Sequence, residues 1–157
     1  MSIERVRSYL AQFNMAEKIL EFPVSTATVE LAASAADVIP ARICKTISFK
    51  SPEGCVLIET AGDVKIDNSK FKNHFGFKAK MLTPEEVLYY TGHEVGGVCA
   101  FAVLRDDVKI YTDISMKRFD TLFPACGSEN SAIELTCDEI FNLSKAISWV
   151  DVCKGWE

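Results

Sequence analysis

The hydrophobic and polar positions of the chain follow two different periods, which predict helices in some segments and strands in others. Residues 3–13 are predicted to form an amphipathic helix, because their apolar side chains recur at the spacing of one helix face: Ile3, Val6, Leu10 and Phe13. Residues 25–28, Ser-Thr-Ala-Thr, offer N-caps for a second helix. Its inner face would consist of small residues that allow close packing on a sheet: Val29, Ala32, Ala33 and Ala36.

Alternating β-branched residues predict a hairpin in the first half of the chain. Residues 43–50 and 55–60 form its strands, and residues 51–54, Ser-Pro-Glu-Gly, form its turn. Further strands are predicted over residues 98–104, 108–114, 122–125, 132–135 and 147–152. Because residues 98–104 are continuously apolar, that strand is expected to be covered on both faces.

Three more helices carry their own start or stop signals. Residues 68–75 are predicted to be a short helix that Gly76 ends. Residues 83–86, Thr-Pro-Glu-Glu, and residues 136–139, Thr-Cys-Asp-Glu, read as capping boxes, which begin two helices. This order of elements, with hairpins and few strand–helix–strand crossovers, predicts an α/β (α+β) fold. Its sheet is expected to be mixed, largely antiparallel and curved or barrel-like, with helices around it.

Composition is typical of a folded protein of one domain, and we expect residues 1–157 to form it. The chain has 157 residues, of which 48% are hydrophobic and 25% charged, which excludes disordered and collagen-like classes. Its 17 Lys and Arg against 22 Asp and Glu give a net charge of −5, which argues against a broad cationic surface for nucleic acid or membranes.

A basic segment interrupts this acidic background. Residues 65–80 contain one acidic residue, Asp67, and a local net charge of +4. The lysines of this segment are Lys65, Lys70, Lys72, Lys78 and Lys80. They can contact a nucleic-acid backbone locally, or they can form an ordinary solvated lysine-rich face, which is the commoner arrangement.

Location and cofactors are constrained by what the sequence lacks. No apolar run approaches the roughly 18 residues that span a bilayer, and Glu4, Arg5 and Arg7 stand where a signal peptide needs apolar residues. We therefore expect a cytoplasmic protein without a membrane partner. Six cysteines lie at irregular intervals without a CxxC, and the two histidines, His74 and His93, have no ligand spacing. Neither a metal nor another cofactor is expected.

Lys45 departs from the hydrophobic pattern of its strand. Odd positions place it on the same face as Ile43, Ile47 and Phe49, which the core should cover. A buried ammonium group is costly without an anionic partner, so this face can open into a pocket for a negative group. In the alternative reading, the lysine stem lies on apolar neighbours while its ammonium group reaches water.

Two glycine-containing loops are further candidates for a site. Residues 92–98, Gly-His-Glu-Val-Gly-Gly-Val, lie between a capped helix and an apolar run, and residues 126–131 connect two strands. Glycines let the backbone approach a ligand and donate amide hydrogens to an oxyanion, although most glycine clusters only turn the chain. Cys99 and Cys126 lie in these regions, but neither has a patterned base beside it that would activate a thiol nucleophile.

Together these segments resemble the YbaK/ProX family of free-standing deacylases, which are related to the editing domain of bacterial prolyl-tRNA synthetases. The resemblance runs through residues 25–33, residues 42–46 with Lys45, residues 92–98, residues 125–128 and residues 133–135. It implies a mixed α/β domain around a curved sheet that hydrolyses the ester between a wrong amino acid and tRNA. The implied partners are the acceptor end of an aminoacyl-tRNA and, in addition, a synthetase.

The resemblance also assigns roles to residues. The catalytic positions that it implies are Lys45, His93, Gly96 and Gly97. The substrate-binding positions that it implies are Thr46, Val98, Cys99, Ala100, Gly127 and Ser128. Lys45 would hold the aminoacylated end by a phosphate or ribose-linked oxygen, and a positioned water or the thiol of the substrate itself would attack the ester.

Two departures from the family leave the substrate open. Ala100 stands where the family usually has proline, and Ala125 and Ala132 stand where some relatives have Ser and Asp. The first hypothesis is a trans-editing deacylase acting on Cys-tRNA or Ala-tRNA of the proline type. The alternatives are a non-catalytic module that senses an amino acid or aminoacylated end, and a hydrolase of another small aminoacyl ester.

Overall fold

The computed structural model describes residues 2–156, which contain both helices and strands; Met1 and Glu157 lie outside the described residues. The α-helices are α1 (Ser2–Ala11), α2 (Val29–Ala36), α3 (Asn68–Phe75), α4 (Pro84–Thr91) and α5 (Cys137–Leu143). The strands are β1 (Leu20–Glu21), β2 (Ile43–Ser51), β3 (Gly54–Ala61), β4 (Lys65–Ile66), β5 (Val108–Asp113), β6 (Thr121–Pro124), β7 (Ser131–Ala132), β8 (Leu135–Thr136), β9 (Trp149–Val150) and β10 (Cys153–Lys154). Short 3₁₀ turns cover Ala16–Lys18, Pro40–Arg42 and Ile114–Arg118.

Six of the strands form one sheet in the order β8-β6-β2-β3-β5-β9, and the sheet curls into a half-barrel. The hairpin β2–β3 and the pair β6–β8 are antiparallel, whereas β2–β6, β3–β5 and β5–β9 are parallel. Two antiparallel ribbons, β1–β7 and β4–β10, complete the described strands. The predicted mixed, curved sheet with surrounding helices is confirmed, and within the main sheet parallel pairings outnumber antiparallel ones.

Helices cover both faces of the central hairpin. On one face, α2 packs its alanines on Ile43 and Phe123, and α3 inserts Phe71 against Phe49. On the other face, α1 and α5 pack in a cluster that also contains Cys44 and Ala61. Apolar burial on both sides explains why β3 reads as a nearly continuous hydrophobic run, with a single carboxylate, Glu59, inside it.

Capping and turn residues in the sequence correctly predicted where several elements begin or end. Thr83 and Thr136 each form a capping box with the glutamate three residues later, as predicted. Gly76 ends α3 in the left-handed conformation, with φ of 83°. The hairpin over residues 43–61 is also confirmed, with its turn at the predicted Ser-Pro-Glu-Gly.

The predicted strand over residues 98–104 is wrong. These residues are an irregular loop, and Ala102 has a φ of 54°, which no strand allows. The middle of the loop is buried because it lies between two clusters, with Cys99 and Phe101 in one and Ala100 in the other, whereas Leu104 at its end is exposed. A continuous apolar run records burial and not backbone conformation, so periodicity alone could not distinguish the two.

Two other predicted strands are each divided in the structure. Residues 132–135 contain parts of β7 and β8, which pair with β1 and β6 respectively. Within residues 147–152 only β9 forms, and the chain then continues into β10, which pairs with β4. Two-residue strands depend on a distant partner and leave no periodic signal of their own. No helix among residues 2–156 has the length and apolarity needed to cross a bilayer.

Candidate functional site

A cavity opens where two parallel strands of the main sheet separate. Strand β2 pairs with β6 only through Ile43 with Phe123 and Cys44 with Pro124. Beyond these pairs the strands diverge, and the space between them is a half-open cavity of about 150 Å³. The residues that line it are Thr26, Ala27, Thr28, Val29, Ala32, Ile43, Cys44, Lys45, Thr46, Gly96, Val98, Phe123, Ala125, Ser131 and Ala132.

The start of α2 forms one wall of the cavity. Thr28 is the N-cap, and its hydroxyl accepts from the Leu31 amide at 3.2 Å. The first amides of a helix have no partner within it and carry a partial positive charge, so this wall favours electronegative groups. Val29 and Ala32 add an apolar surface below the cap.

Thr26 brings an unsatisfied hydroxyl to the same wall. The residue is only 7% exposed, and its Oγ1 has no hydrogen-bond partner among the described residues. Its backbone amide donates to the Glu129 carbonyl at 2.5 Å, which holds the backbone of the residue in place. A buried hydroxyl without a partner costs free energy, which a ligand with a polar group at this position would recover.

Lys45 lies at the edge of the cavity on the face predicted for it. Its side chain is half-buried, and its Nζ donates to the Val64 carbonyl at 2.5 Å. Burial lowers the pKa of this ammonium group, while the negative charges of Asp63 and Glu30 oppose the shift. Among residues 2–156 it forms no ion pair, so its remaining N–H groups are available to an oxygen in the cavity.

Thr46 presents backbone groups to the cavity as well as its side chain. On this edge of β2 the Lys50 amide donates to the Lys80 carbonyl, and the Ser48 carbonyl accepts from Leu82. Backbone groups alternate along a strand with a period of two, so the Thr46 N–H and carbonyl point to the same edge. Adjacent positions of β2 therefore supply a cation and a backbone donor.

The first glycine loop forms the opposite wall. Gly96 and Val98 line the cavity, and Gly96 has a φ of 101°, which favours glycine. Gly97 lies behind them, where a Cβ atom would be 2.8 Å from the backbone of Ser128. Its amide donates to the Glu94 carbonyl at 3.0 Å, so it is not an available donor. The lack of a side chain at Gly97 lets the two predicted loops touch.

His93 is buried beneath this loop and does not line the cavity. The residue is 0% exposed, its Nε2 donates to the Phe101 carbonyl at 2.8 Å, and its Nδ1 contacts the Ser2 hydroxyl. Because a carbonyl only accepts, the ring is the Nε2–H tautomer and Nδ1 accepts from Ser2. Burial lowers its pKa to about 4, so the imidazole is neutral at physiological pH.

Arg5 supports the same loop from α1. Its guanidinium donates to the carbonyl of Ala102 at 3.3 Å and to that of Thr91 at 3.2 Å. A buried loop must satisfy its backbone polar groups without a ladder, and here His93 and Arg5 do so. The wall of the cavity is thus held by side chains from a distant helix.

The remaining predicted positions lie around the cavity and not in its lining. Cys99 and Cys126 are 0% exposed in the core, and burial raises the pKa of Cys99 to about 12 and that of Cys126 well above its usual value. Ala100 packs beside Leu57 and borders a separate depression. The thiols of Cys99 and Cys126 therefore stay protonated and unreactive at neutral pH.

The second glycine loop is a support for the cavity. Gly127 has a φ of 91°, and a Cβ there would lie 2.7 Å from the Ser2 hydroxyl oxygen. Ser128 donates from its hydroxyl to Ser131 at 2.7 Å, or to Asn130 at 3.0 Å. Ser131 itself lines the cavity, so Ser128 acts on the lining through its neighbour.

The chemical character of the lining is apolar with hydroxyl groups and one cation. It contains no Asp, Glu, His or thiol except the buried Cys44. Within residues 2–156, no group of three or more His, Cys, Asp or Glu side chains is placed to hold a metal ion. Such a lining can hold a small ligand with a polar group and polarise that group by hydrogen bonds, but it offers no evident nucleophile or general base of its own.

Sequence reasoning missed several lining residues, above all Thr26. A signal existed, because residues 25–28 contain three hydroxyl side chains and a helix needs only one N-cap. Phe123, Ala125 and Ser131 were missed because they reach the cavity only through the pairing of β6 with β2 and β7 with β1.

Comparisons with known proteins identify the family of the chain. The family model described as the aminoacyl-tRNA editing domain matches residues 24–143. The uncharacterized protein YwhH of Bacillus subtilis (strain 168) is 52% identical over 158 residues, with 100% of each chain covered. The proline–tRNA ligase of Bacillus pumilus (strain SAFR-032) is 35% identical over 108 residues, which are 68% of this chain and 19% of the ligase.

A solved structure extends the likeness to the whole fold. It is described as a candidate trans-editing enzyme for prolyl tRNA synthetase and is similar to this chain with a TM-score of 0.87 at 27% identity, covering 98% of each chain. The resemblance read from the sequence is thereby confirmed. The chain belongs to the aminoacyl-tRNA editing domain family, of the YbaK type.

Proposed function

We propose that this protein is a trans-acting hydrolase that deacylates mischarged aminoacyl-tRNA, with Cys-tRNA or Ala-tRNA of the proline type as its substrate. The observation that carries the proposal is the cavity between β2 and β6, which combines Lys45, the Thr46 backbone and a small apolar interior. The match to proline–tRNA ligases and the trans-editing neighbour support a substrate from prolyl-tRNA.

The size of the cavity favours a small amino acid. About 150 Å³ is the volume of a cavity that holds one benzene molecule. An alanyl or cysteinyl side chain fits among Val29, Ile43 and Val98, while the nucleotide must remain outside. The acceptor end of the RNA would therefore lie across the mouth, beside Lys45.

Each group of the lining has a role in this arrangement. The Lys45 ammonium group meets a phosphate or ribose-linked oxygen, and the Thr26 hydroxyl meets the α-amino group of the aminoacyl moiety. The Gly96 amide, which has no partner among the described residues, and the Thr46 amide face the ester carbonyl. A developing oxyanion gains most from donors that are already fixed in place.

The reaction is the hydrolysis of one ester bond. Water adds to the carbonyl carbon, the tetrahedral oxyanion collapses, and the bond to the ribose oxygen breaks. That oxygen takes a proton and becomes the terminal hydroxyl of tRNA, while the amino acid leaves as the carboxylate. The thiol of a cysteinyl substrate can replace water in the first step, which leaves a cyclic thioester that water then opens.

The test is deacylation of a panel of mischarged tRNAs by the wild type and by Lys45→Ala. Loss of a positioned cation is expected to lower kcat/KM at least about 100-fold. Lys50→Ala is the matched control, because Lys50 lies on the same strand but forms a surface ion pair with Glu86 at 3.3 Å. The control should keep wild-type activity.

Three outcomes separate the proposal from its alternatives. Absence of hydrolysis of every tRNA by the wild type would exclude it. A rise in melting temperature with a ligand, but without turnover, would favour a module that only senses the aminoacylated end. Equal rates for full tRNA and for a bare aminoacyl ester would favour a hydrolase of small esters.

With tRNA and a synthetase as its proposed partners, the protein would act in the cytoplasm.

A further inference from the structure

The ribbon β4–β10 carries two lysines in an unfavourable arrangement. Lys65 and Lys154 are Cα partners in the antiparallel register, so their side chains leave the same face side by side. Both are exposed to solvent. Like charges that lie directly opposite each other on neighbouring strands repel, and the repulsion persists unless an anion lies between them.

The acidic residues near the ribbon are already committed to other partners. Asp63 accepts two hydrogen bonds from the Arg118 guanidinium, at 2.6 and 3.0 Å. Asp67 caps α3 by accepting from the amides of Ser69 and Lys70, both at 3.0 Å. Asp151 pairs with the Lys70 ammonium group at 3.1 Å.

This leaves the two lysines without a direct partner. Among residues 2–156, neither Lys65 nor Lys154 forms an ion pair or a side-chain hydrogen bond. The pKa of Asp67 is lowered mainly by the hydrogen bond from the Lys70 amide, and the positive charge of Lys154 makes a minor contribution. The Lys70 ammonium group, in contrast, already donates to Asp151 and to the Cys153 carbonyl. The lysines of the basic segment therefore differ in how readily they can bind an external anion.

The ribbon is directly connected to the cavity. The Lys45 ammonium group donates to the carbonyl of Val64, the residue before Lys65. The positive charge of Lys65 is also near enough to Lys45 to contribute to lowering the pKa of Lys45, of which burial is the largest cause. The two lysines of the ribbon therefore lie next to the segment that Lys45 contacts at the edge of the cavity.

We propose that Lys65 and Lys154 form a phosphate-binding surface for the single-stranded end of an RNA, next to the aminoacylated nucleotide in the cavity. This inference rests on the proposed function for the identity of the RNA. The pair would meet the phosphodiester groups that precede the terminal nucleotide, while Lys45 meets the terminal one. An RNA backbone is the fitting partner because it offers consecutive anions that extend away from the cavity.

The experiment measures binding of uncharged tRNA of the proline type across a range of salt concentrations. The Lys65→Ala/Lys154→Ala double variant is expected to bind roughly tenfold more weakly at low salt. The slope of log K against log salt should fall by about 1.4, because each phosphate contact with a single strand contributes about 0.7. Its melting temperature should not fall, since a repulsive pair has been removed.

The matched control is the Lys50→Ala/Lys109→Ala double variant. It has the same net charge, but Lys50 lies on β2 and Lys109 on β5, where they pair with Glu86 and Glu53. It should keep the wild-type affinity and salt slope. If the ribbon variant and this control bind RNA equally, the proposal is overturned.

Catalysis separates this inference from the proposed function. With 3′-O-alanyl adenosine, which lacks the preceding phosphates, the ribbon variant should hydrolyse the ester at the wild-type rate. A loss of rate there would overturn the inference, because the lysines would then act in the cavity. RNA binding that depends on the lysines, with no hydrolysis of any ester by the wild type, would refute the proposed function and leave the RNA-binding surface standing.

Discussion

Replacing Glu59 should change how the stability of the protein depends on pH. Glu59 lies in the middle of β3 and is 0% exposed. Its Oε1 is 3.0 Å from the Ser144 hydroxyl, and its Oε2 has no partner among the described residues. Burial raises the pKa of this carboxyl from 4.5 to about 8, against the hydrogen bond with Ser144, which lowers it. The folded protein therefore holds a proton that the unfolded chain releases.

The magnitude follows from the two pKa values. A group whose pKa is higher in the folded state stabilises the protein below its unfolded pKa, and this contribution is lost as pH rises through the folded pKa. One pKa unit corresponds to about 1.4 kcal/mol, so the full contribution of Glu59 is about 5 kcal/mol. Between pH 5.5 and pH 8.5, the free energy of unfolding should fall by about 3 kcal/mol on account of this group.

The assay is urea denaturation at several pH values between 5.5 and 8.5. Glu59→Gln keeps the shape of the side chain but does not titrate, so its stability relative to wild type should improve by about 3 kcal/mol across this range. Glu53→Gln is the control, because Glu53 is exposed on the hairpin turn and pairs only with Lys109. A difference between wild type and Glu59→Gln that stays constant with pH would refute the reasoning.

Three other changes test separate parts of the structure. Thr26→Val removes the unpartnered hydroxyl at nearly constant volume, so KM for the aminoacylated substrate should rise about tenfold with little change in melting temperature; an unchanged KM would contradict a contact with substrate. His93→Gln loses the fixed ring between Ser2 and Phe101, so urea denaturation should show a loss of about 2 kcal/mol. The wild-type protein should also lose stability below about pH 6.5, because His93 of the unfolded chain binds a proton there, whereas the buried His93, with a pKa of about 4, does not. If His93→Gln keeps this pH dependence, His93 is not its source. Lys154→Glu turns a like-charged cross-strand pair into an opposite pair, so the free energy of unfolding should rise by roughly 0.5 kcal/mol while RNA binding weakens; a lower melting temperature would count against the repulsion.

Elements with local signals were predictable from the sequence, and elements that depend on distant partners were not. The capping boxes at Thr83 and Thr136 and the turn of the β2–β3 hairpin are specified by residues within four positions of each other. The loop over residues 98–104 is not, because its conformation depends on the carbonyl contacts that Arg5 and His93 make. Hydrophobicity correctly indicated that the middle of this loop, residues 99–101, is buried, but it could not indicate the backbone conformation.

The candidate site shows the same division. Lys45 stood out because a cation on a covered strand face breaks the pattern around it. His93 and Cys99 were selected by their position in a motif, and the structure has them in the core, where their environment lowers one pKa and raises the other. The surplus of hydroxyl residues before α2 is a weaker signal for Thr26, because a threonine before a helix is ordinary. Only its burial without a partner distinguishes it.

The support of the cavity wall by α1 has a consequence for dissecting this protein. The matched family segment, residues 24–143, contains every residue that lines the cavity. Yet Ser2 and Arg5, which hold the wall in place, lie before that segment, and Val6 and Leu10 complete its core. The boundaries of the homologous segment are therefore not those of the cooperative folding unit. A transplant of residues 24–143 into another protein would carry the cavity lining but would need a substitute for this helix.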